Sequence, residues 1–253
     1  DQGDSSPDSG DDGDPAFDDP LVVVDPTDPG RNVAAVCSPE NVARLQHYAR
    51  ALLSDPREAL FEPTEAEPID GERVRELVAD RGTTPVALRC AVPGLVDDQL
   101  WPQLEKSREG IASELDRRGF EVFRSEAFAT DGPGDSREVA LLFELEVSER
   151  PRVERHEGPP VHVRAHATGF YEKYADADAY GPFIEGDRYV VEREREFVDA
   201  VGFLESEAIL DVALGTHVES ALQSGYDVVL DDGIAGLADT FGRELGAYLS
   251  PSP

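Results

Sequence analysis

The sharpest change in hydrophobic pattern lies at residues 21–35, which read LVVVDPTDPGRNVAA. Four branched apolar residues in succession favour a buried strand over residues 21–24. Pro26 and Pro29 each fix a backbone angle and remove a hydrogen-bond donor, so the strand should end in a rigid turn. The residues before them, Asp25 and Asp28, are restricted to extended conformations and should shape this turn. We therefore expect Arg31 to lie on a preformed corner, where a guanidinium can bind a planar ligand.

Apolar residues recur at helical spacing in three segments of the first half of the chain. The predicted helices span residues 38–53, 70–81 and 97–118. Alternating apolar residues predict strands over residues 83–92, 120–128 and 138–147. Gly82 and Gly119 end the second and third helices, as glycine commonly does. From residue 83 onward, the pattern predicts the order β–α–β–β.

The second half of the chain extends this order to β–α–β–β–α–β. Residues 159–174 are predicted as its second helix and residues 187–197 as its last strand. Residues 205–224 and 233–249 are predicted as flanking C-terminal helices. The fold class expected is α+β, with a ferredoxin-like or RNA-recognition-type core.

The charge of the chain is strongly acidic, with 54 acidic against 23 basic side chains and a net charge of −31. Lys106 and Lys173 are the only lysines. This composition is typical of extreme halophiles, because molar salt shortens the Debye length to roughly 3 Å and screens self-repulsion. Acids are spread along the chain and are not confined to one tail, which favours salt adaptation over an acidic protein that targets basic partners. Residues 1–19 are mostly Asp, Gly, Ser and Pro, and we expect them to be disordered.

Such a charge argues at first against nucleic-acid binding. High salt, however, already removes most of the free energy that counterion release supplies. An RNA-binding protein adapted to salt would depend more on shape, arginine forks and stacking. Its few basic residues should then be clustered, as Arg117, Arg118 and Arg124 are along the sequence.

Other residue types give little sign of metal or membrane chemistry. Cys37 and Cys90 are isolated, which predicts neither a zinc site nor a disulfide, and both are expected to be buried and unreactive. His162 and His166 have the i, i+4 spacing of zinc-binding helices, but no glutamate follows His162 and no third ligand is evident. No segment approaches the ~20 apolar residues of a membrane span. We expect a cytoplasmic protein with no membrane association and no metal site in this chain.

Four sequence blocks resemble the archaeal, class I CCA-adding tRNA nucleotidyltransferases, and they occur in that family's order. The blocks are LVVVDPTDPGRNVAA (21–35), SPENVAR (38–44), VDDQLWPQLEK (96–106) and AYGPFIEG (179–186). The resemblance is absent before residue 19 and fades after about residue 200. It implies that the chain contains the end of the family's nucleotide-binding neck, followed by the body and tail.

The resemblance also implies chemistry in an N-terminal head, where three carboxylates hold two Mg²⁺ ions. The sequence contains no Gly-Ser loop and no Asp-x-Asp strand ahead of residue 21. With no methionine at any position, we expect the chain to be the C-terminal part of a longer haloarchaeal enzyme and to be inactive alone. A mature secreted protein that has lost its signal peptide is the competing interpretation.

The implied reaction adds C, C and A to the 3′ end of tRNA, using CTP and ATP and releasing pyrophosphate. The expected partners are the acceptor stem and elbow of tRNA, and a homodimer is left open. An alternative is a non-catalytic RNA-binding module with a ferredoxin-like core. A fragment of an oligoadenylate-synthetase-like nucleotidyltransferase and a secreted acidic domain are two others.

By the same resemblance, Arg31 and Asn32 are the candidate nucleotide-binding residues. For Arg31, the alternative is a surface ion pair with Asp25 or Asp28; for Asn32, it is a structural role in the turn. The candidate RNA-binding residues are Lys106, Arg108, Arg117, Arg118 and Arg124. Ion pairs within the helix, or a solvated helix end, would explain these basic residues equally well.

The expected organisation has five parts. These are a disordered segment (1–19), the end of the neck (20–58), a linker with a short helix (59–84), an α+β RNA-binding body and tail (85–200) and C-terminal helices (201–253).

Overall fold

The computed structural model describes residues 17–62, 66–132 and 134–252. The chain divides into two compact units, one reaching residue 65 and the other spanning Ala66–Pro251. The disorder expected for residues 1–19 falls mainly on residues 1–16, which lie outside the described residues. No helix in the described ranges is both long and apolar enough to cross a bilayer.

The first unit contains a small hairpin and one long helix. Its elements are β1 (Val24–Asp25), β2 (Asp28–Asn32), α1 (Pro39–Ser54) and a 3₁₀ turn at Glu58–Phe61. The Ser38 hydroxyl accepts a hydrogen bond from the Asn41 amide at 3.2 Å and caps α1, as its sequence predicts. The strand predicted over residues 21–24 is wrong in extent, because β1 begins only at Val24 and pairs across the turn with β2.

The second unit begins with the elements that the sequence predicts. They are α2 (Gly71–Arg81), β3 (Thr84–Pro93), α3 (Asp97–Arg118), β4 (Val122–Ala129) and β5 (Ser136–Leu145). Gly82 and Gly119 end α2 and α3 in the left-handed conformation, with φ of 66° and 85°. Such values strain any residue with a Cβ, which explains why glycine marks these two helix ends.

A separate three-stranded sheet follows, and we refer to residues 150–195 as the insertion. Its elements are β6 (Val153–Pro160), α4 (Arg164–Ala175), β7 (Ala179–Glu185) and β8 (Arg188–Glu194). The strands pair in the order β6-β8-β7, and α4 packs on one face of this sheet. The chain enters and leaves beside itself, since Arg150 N donates to Val198 O at 2.7 Å and Arg195 N donates to Arg152 O at 2.7 Å.

The last part of the chain returns to the first sheet. Its elements are α5 (Ala200–Leu204), a 3₁₀ turn at Glu207–Asp211, α6 (Thr216–Ser224), β9 (Asp227–Leu230), α7 (Asp232–Gly236) and α8 (Ala238–Leu249). The larger sheet has the strand order β4-β5-β3-β9 with antiparallel neighbours. In order along the chain, its strands follow the β–α–β–β–α–β arrangement of a ferredoxin-like sandwich. The predicted α+β class and core topology are therefore confirmed.

The assignment of the sandwich's second half was wrong. The predicted helix at 159–174 and strand at 187–197 correspond to α4 and β8 of the insertion, whereas α6 and β9 complete the sandwich. The predicted strand and helix types were right, but alternation along a strand does not reveal which sheet it joins. Residues beyond 200 thus build the sheet as well as flank it.

The sheet is buried on both faces. The face that carries Leu88 and Phe143 packs against α3 and α6, and the face that carries Ala87 and Leu142 packs against α2, α7 and α8. Double burial explains why β5 lacks the polar alternation of a strand with one wet face. Cys90 is buried as expected, and burial raises the pKa of its thiol to about 11, whereas Cys37 is only partly buried.

A buried carboxylate links the sheet to α2 and α8. Glu144 accepts hydrogen bonds from Arg81 Nε at 2.5 Å and Nη2 at 2.9 Å, from Thr83 Oγ1 at 2.6 Å and from the Tyr248 hydroxyl at 3.1 Å. Its side chain is 2% exposed. Burial acts to raise the pKa of Glu144, but the bonds from Arg81 and Thr83 outweigh it, so the pKa lies below its ordinary value.

We expect Glu144→Gln to lower the free energy of unfolding by about 3 kcal/mol, because it leaves the Arg81 guanidinium without its buried partner. Guanidinium chloride unfolding followed by the fluorescence of Trp101, the only tryptophan, measures this change. The matched control is Glu138→Gln, whose partly exposed pair with Arg89 should contribute under about 1 kcal/mol.

The same substitution should alter how the free energy of unfolding depends on pH in the acidic range. With its pKa depressed in the folded state, Glu144 stabilises the fold above its ordinary pKa of 4.5, and this contribution is lost as pH falls through the folded pKa. Below about pH 4.5, the free energy of unfolding of Glu144→Gln should therefore fall less steeply with decreasing pH than that of the unaltered protein. If Glu144→Gln and Glu138→Gln lowered the free energy of unfolding equally, the buried hydrogen bonds of Glu144 would contribute no more to stability than a partly exposed ion pair.

Candidate nucleic-acid interface

The turn before Arg31 is held by its two aspartates. Asp25 Oδ1 accepts hydrogen bonds from Thr27 N at 2.8 Å and Thr27 Oγ1 at 2.7 Å, and Asp28 Oδ1 accepts one from Gly30 N at 3.0 Å. The backbone and side-chain bonds from Thr27 lower the pKa of Asp25 and keep it ionised. Both residues therefore shape the turn, as the sequence predicts.

Arg31 lies on β2 with most of its side chain in solvent. Its Nη1 is 3.6 Å from Asp25 Oδ2, and 68% of the side chain is exposed. An exposed pair at this distance contributes little to stability. The guanidinium is therefore held near the turn and remains accessible to a ligand.

Asn32 has a structural role in the turn, and a nucleotide-binding role for its side chain is not supported. Its Nδ2 donates to Asp19 Oδ2 and Leu21 O, both at 2.8 Å. Its Oδ1 accepts from Val23 N at 2.8 Å and Ala34 N at 3.0 Å. An asparagine amide has two donors and one two-fold acceptor, so these four bonds use its full capacity. Asn32 thus ties the segment before β1 to β2 and positions the backbone beside Arg31.

Lys106 and Arg108 lie on α3 in different environments. Lys106 is exposed and has no carboxylate partner in the described part of the chain. Arg108 is mostly buried, and it donates to Glu105 from Nε at 3.1 Å and to Ser125 Oγ from Nη1 at 2.8 Å. Arg108 therefore joins α3 to β4, whereas the Lys106 side chain is exposed to solvent.

Arg117, Arg118 and Arg124 do not form the shared patch that the sequence predicts. Arg117 and Arg118 lie at the C-terminal end of α3, on one face of the sheet. Arg124 lies on the other face, where its guanidinium stacks 3.8 Å from the centre of the Tyr248 ring and donates to the Tyr248 carbonyl. Residues close in sequence are separated here because the sheet lies between α3 and the face of β4 that packs against α8.

Arg118 instead joins α3 to the end of the insertion. Its Nε is 2.7 Å from Glu114 Oε1 and its Nη1 is 2.9 Å from Glu196 Oε2. The guanidinium also lies 4.6 Å from the Phe197 ring centre and 4.7 Å from that of Phe203. Arg117, which pairs with Glu114, keeps 70% of its side chain exposed.

An open polar cleft of about 420 Å³ lies at this junction. Its lining includes Arg117 and Arg118 from α3, and Arg193 and Arg195 from the strand that returns from the insertion. Sequence reasoning missed the last two residues. The run of alternating glutamate and arginine at 192–196 was the available signal, but it also fits an exposed strand edge.

The described residues contain no group of three His, Cys, Asp or Glu side chains placed to bind a metal ion. His162 and His166 are both exposed. Two-metal chemistry does not fit the side chains that this part of the chain supplies.

Family comparisons cover most of the sequence. The family described as "CCA-adding enzyme, C-terminal domain" matches residues 81–231, and the one described as "tRNA nucleotidyltransferase, second domain" matches residues 6–62. The chain belongs to the CCA-adding enzyme family. The match extends beyond both limits of the resemblance seen in sequence, since it starts before residue 19 and includes α6 and β9.

Curated relatives agree with this membership. The CCA-adding enzyme of Haloarcula marismortui is 58% identical over 97% of this chain and 55% of its own length. That of Halorubrum lacusprofundi is 56% identical over 94% of this chain and 53% of its own. The CCA-adding enzyme of Methanosarcina mazei is 36% identical over 87% and 47% respectively. The chain thus spans about half the length of the CCA-adding enzymes that it matches.

The role of Asn32 can be tested by Asn32→Asp, which keeps the acceptor but removes both Nδ2 donors and sets a carboxylate beside Asp19. We expect this change to destabilise the hairpin by about 2 kcal/mol, since two hydrogen bonds are lost. Amide hydrogen exchange over residues 21–34 should then accelerate by about 30-fold.

Asn41→Asp is the matched control for this experiment. It makes the same chemical change in the first turn of α1, where a negative charge is favourable. Unchanged exchange in Asn32→Asp would contradict the structural role and leave the Asn32 side chain available for a nucleotide.

Proposed function

We propose that this chain works in the addition of C, C and A to the 3′ end of tRNA, with CTP and ATP as substrates and pyrophosphate as product. In this proposal the chain holds the tRNA and contributes to nucleotide selection. The observation that carries the proposal is that a match to a tRNA nucleotidyltransferase second domain over residues 6–62 is followed by a match to a CCA-adding enzyme C-terminal domain over residues 81–231. The relatives that support it bear the name CCA-adding enzyme.

Arg31 is the proposed nucleotide-reading residue. Its exposure and its weak pair with Asp25 leave the guanidinium available at little cost in stability. An arginine presents five donors in a fixed plane, so it can bind a base edge or phosphate oxygens without changing its protonation. Asn32 supports this role indirectly, because its four hydrogen bonds hold the backbone from which Arg31 projects.

The larger unit is the proposed tRNA-binding part. Recognition of shape and backbone suits an enzyme whose substrates share an architecture and differ in sequence. Lys106 and Arg117 have the exposure that contact with the acceptor stem requires. Arg108, Arg118 and Arg124 are engaged inside the protein, and in this proposal they position elements that meet the RNA.

The Mg²⁺ ions that nucleotidyl transfer generally uses do not fit the described residues, so we assign no step through a metal to this chain. Salt adaptation and a cytoplasmic location complete the proposal, supported by the net charge of −31 and by the haloarchaeal relatives.

The chain alone should bind tRNA and incorporate no CTP, because its described residues supply no metal-binding carboxylates. Incubation with labelled CTP and a tRNA that lacks its CCA end measures incorporation, and a gel-shift assay measures binding. The full-length CCA-adding enzyme of Haloarcula marismortui serves as the positive control. Incorporation by the isolated chain would refute this division of labour.

In a full-length CCA-adding enzyme that contains this segment, Arg31→Ala should lower kcat/KM for CTP and ATP by about 10- to 100-fold. This is the effect of losing one hydrogen-bonded contact to a charged group. The Kd for tRNA should change by less than about twofold, because the proposed contact is with the nucleotide.

Arg44→Ala is the control for the Arg31 experiment, since it removes another exposed, ion-paired arginine from the same unit. An equal loss of nucleotide use and tRNA affinity in Arg31→Ala would instead mark Arg31 as a residue of the fold alone.

A further inference from the structure

A short segment without helix or strand begins the second unit. It consists of residues 66–70, which follow the last residue of the first unit and precede α2. We call this segment the strap. At its end, Asp70 Oδ1 accepts a hydrogen bond from Arg73 N at 2.9 Å and caps α2. The covalent connection between the two units leads directly into the strap, so the way in which the strap is held concerns both units.

The strap crosses α8 at two buried glycines. Gly242 and Gly246 are four residues apart and therefore lie on the same face of the helix. A Cβ added to Gly242 would lie 2.7 Å from the Ile69 carbonyl oxygen, and one added to Gly246 would lie 2.7 Å from the Glu67 carbonyl oxygen. Both distances are well below the about 3.3 Å at which carbon and oxygen come into close contact. A side chain at either position would therefore displace the backbone of the strap.

Hydrogen bonds and apolar packing hold the strap in this place. The Ile69 amide donates to the Gly242 carbonyl at 3.0 Å, and Arg243 Nη1 donates to the Ala66 carbonyl at 3.3 Å. The Ile69 side chain packs against the hydrophobic core that lies between the sheet and α8. The strap is thus attached to α8 at its start and near its end.

Helix α8 departs from good helix-forming sequence and geometry where it meets the strap. Glycine inside a helix is unfavourable relative to alanine, and α8 contains two on the face that the strap covers. Phe241, next to Gly242, has non-helical angles, with φ of −119° and ψ of 31°. At the other end of the strap, a Cβ on Gly71 would lie 2.9 Å from the Ala235 carbonyl oxygen. Close approach of the strap is therefore present together with features that disfavour the helix.

We propose that the strap is the fixed end of the connection between the two units, and that Gly242 and Gly246 are positioning residues for nucleotide addition. This inference rests on the proposed function, in which the first unit reads the nucleotide and the second holds the tRNA. Release of residues 66–69 from α8 would lengthen the free connection by up to about 14 Å. Since a misplacement of about 1 Å can slow an enzymatic reaction by about 100-fold, an anchored strap favours the reaction.

The test introduces Gly246→Ala into a full-length CCA-adding enzyme that contains this segment. At saturating CTP and tRNA, the kcat for CTP addition should fall about tenfold, because the nucleotide-reading unit is less well placed. The Kd for tRNA should change by less than about twofold. Gly242→Ala is the second variant and should act in the same way. In the 253-residue chain, hydrogen exchange of the Ile69 amide, followed by NMR, should accelerate about tenfold when the strap is released.

Two controls isolate the strap. Gly236→Ala makes the same change at the end of the adjacent helix α7, where an added Cβ would meet open space among the described residues. It should leave kcat, the Kd for tRNA and the exchange of Ile69 nearly unchanged. Glu144→Gln destabilises the second unit at residues outside the strap, and it should leave kcat within about twofold. Equal losses of kcat in Glu144→Gln and Gly246→Ala would overturn the inference, because reduced stability would then explain both.

The remaining outcomes separate the inference from the function on which it rests. If the unaltered full-length enzyme adds no CCA to tRNA, the proposed function fails. If it does so, and both glycine variants accelerate exchange of Ile69 without lowering kcat, the function stands and the positioning role is refuted. If neither glycine variant changes the exchange of Ile69, the close approach does not hold the strap, and the inference is overturned at its structural basis.

Discussion

The ladder between β3 and β5 is the constraint on which the larger unit depends. Ten residue pairs run without a register shift from Thr84↔Leu145 to Pro93↔Ser136. Successive residues of a strand face opposite sides of the sheet, so this single register supplies both hydrophobic cores. A slip by one residue would exchange the two sets of side chains and place Glu144 against α3 and away from Arg81. The long register and the buried Glu144 network therefore specify the same arrangement.

The sandwich fixes the place from which the insertion projects. β5 leads into it and α5 follows it, and backbone hydrogen bonds between the two connecting segments close its base. Arg118 on α3 stabilises this base, because its guanidinium binds the carboxylates of Glu114 and Glu196. It also stacks on the rings of Phe197 and Phe203. The insertion, with eight basic and nine acidic side chains, is thus carried on a rigid support.

The candidate site residues show which side-chain environments could be predicted from the sequence and which depend on the tertiary structure. Arg31 was predicted as a site residue because prolines and aspartates next to it in sequence form its turn, and the structure leaves its side chain accessible. Asn32 belongs to the same motif, yet its bonds to Asp19 and Leu21 O give it a structural role. Arg117, Arg118 and Arg124 formed a cluster in sequence only, because whether a basic side chain meets solvent, a carboxylate or an aromatic ring depends on elements far away along the chain.

The sequence alone determined the helices and strands between residues 38 and 147, the two glycine-terminated helices, the α+β class and the family resemblance, but it did not predict β6, β7 or β9. These follow from side-chain periodicity, backbone restriction and short motifs, all of which act over a few residues. Only the tertiary structure decided that α6 and β9 complete the sandwich, that α4 and β8 belong to another sheet, and which cations remain unpaired. These features depend on burial and pairing between segments that are distant in sequence. The alternation of side chains within one strand does not specify which strand pairs with it.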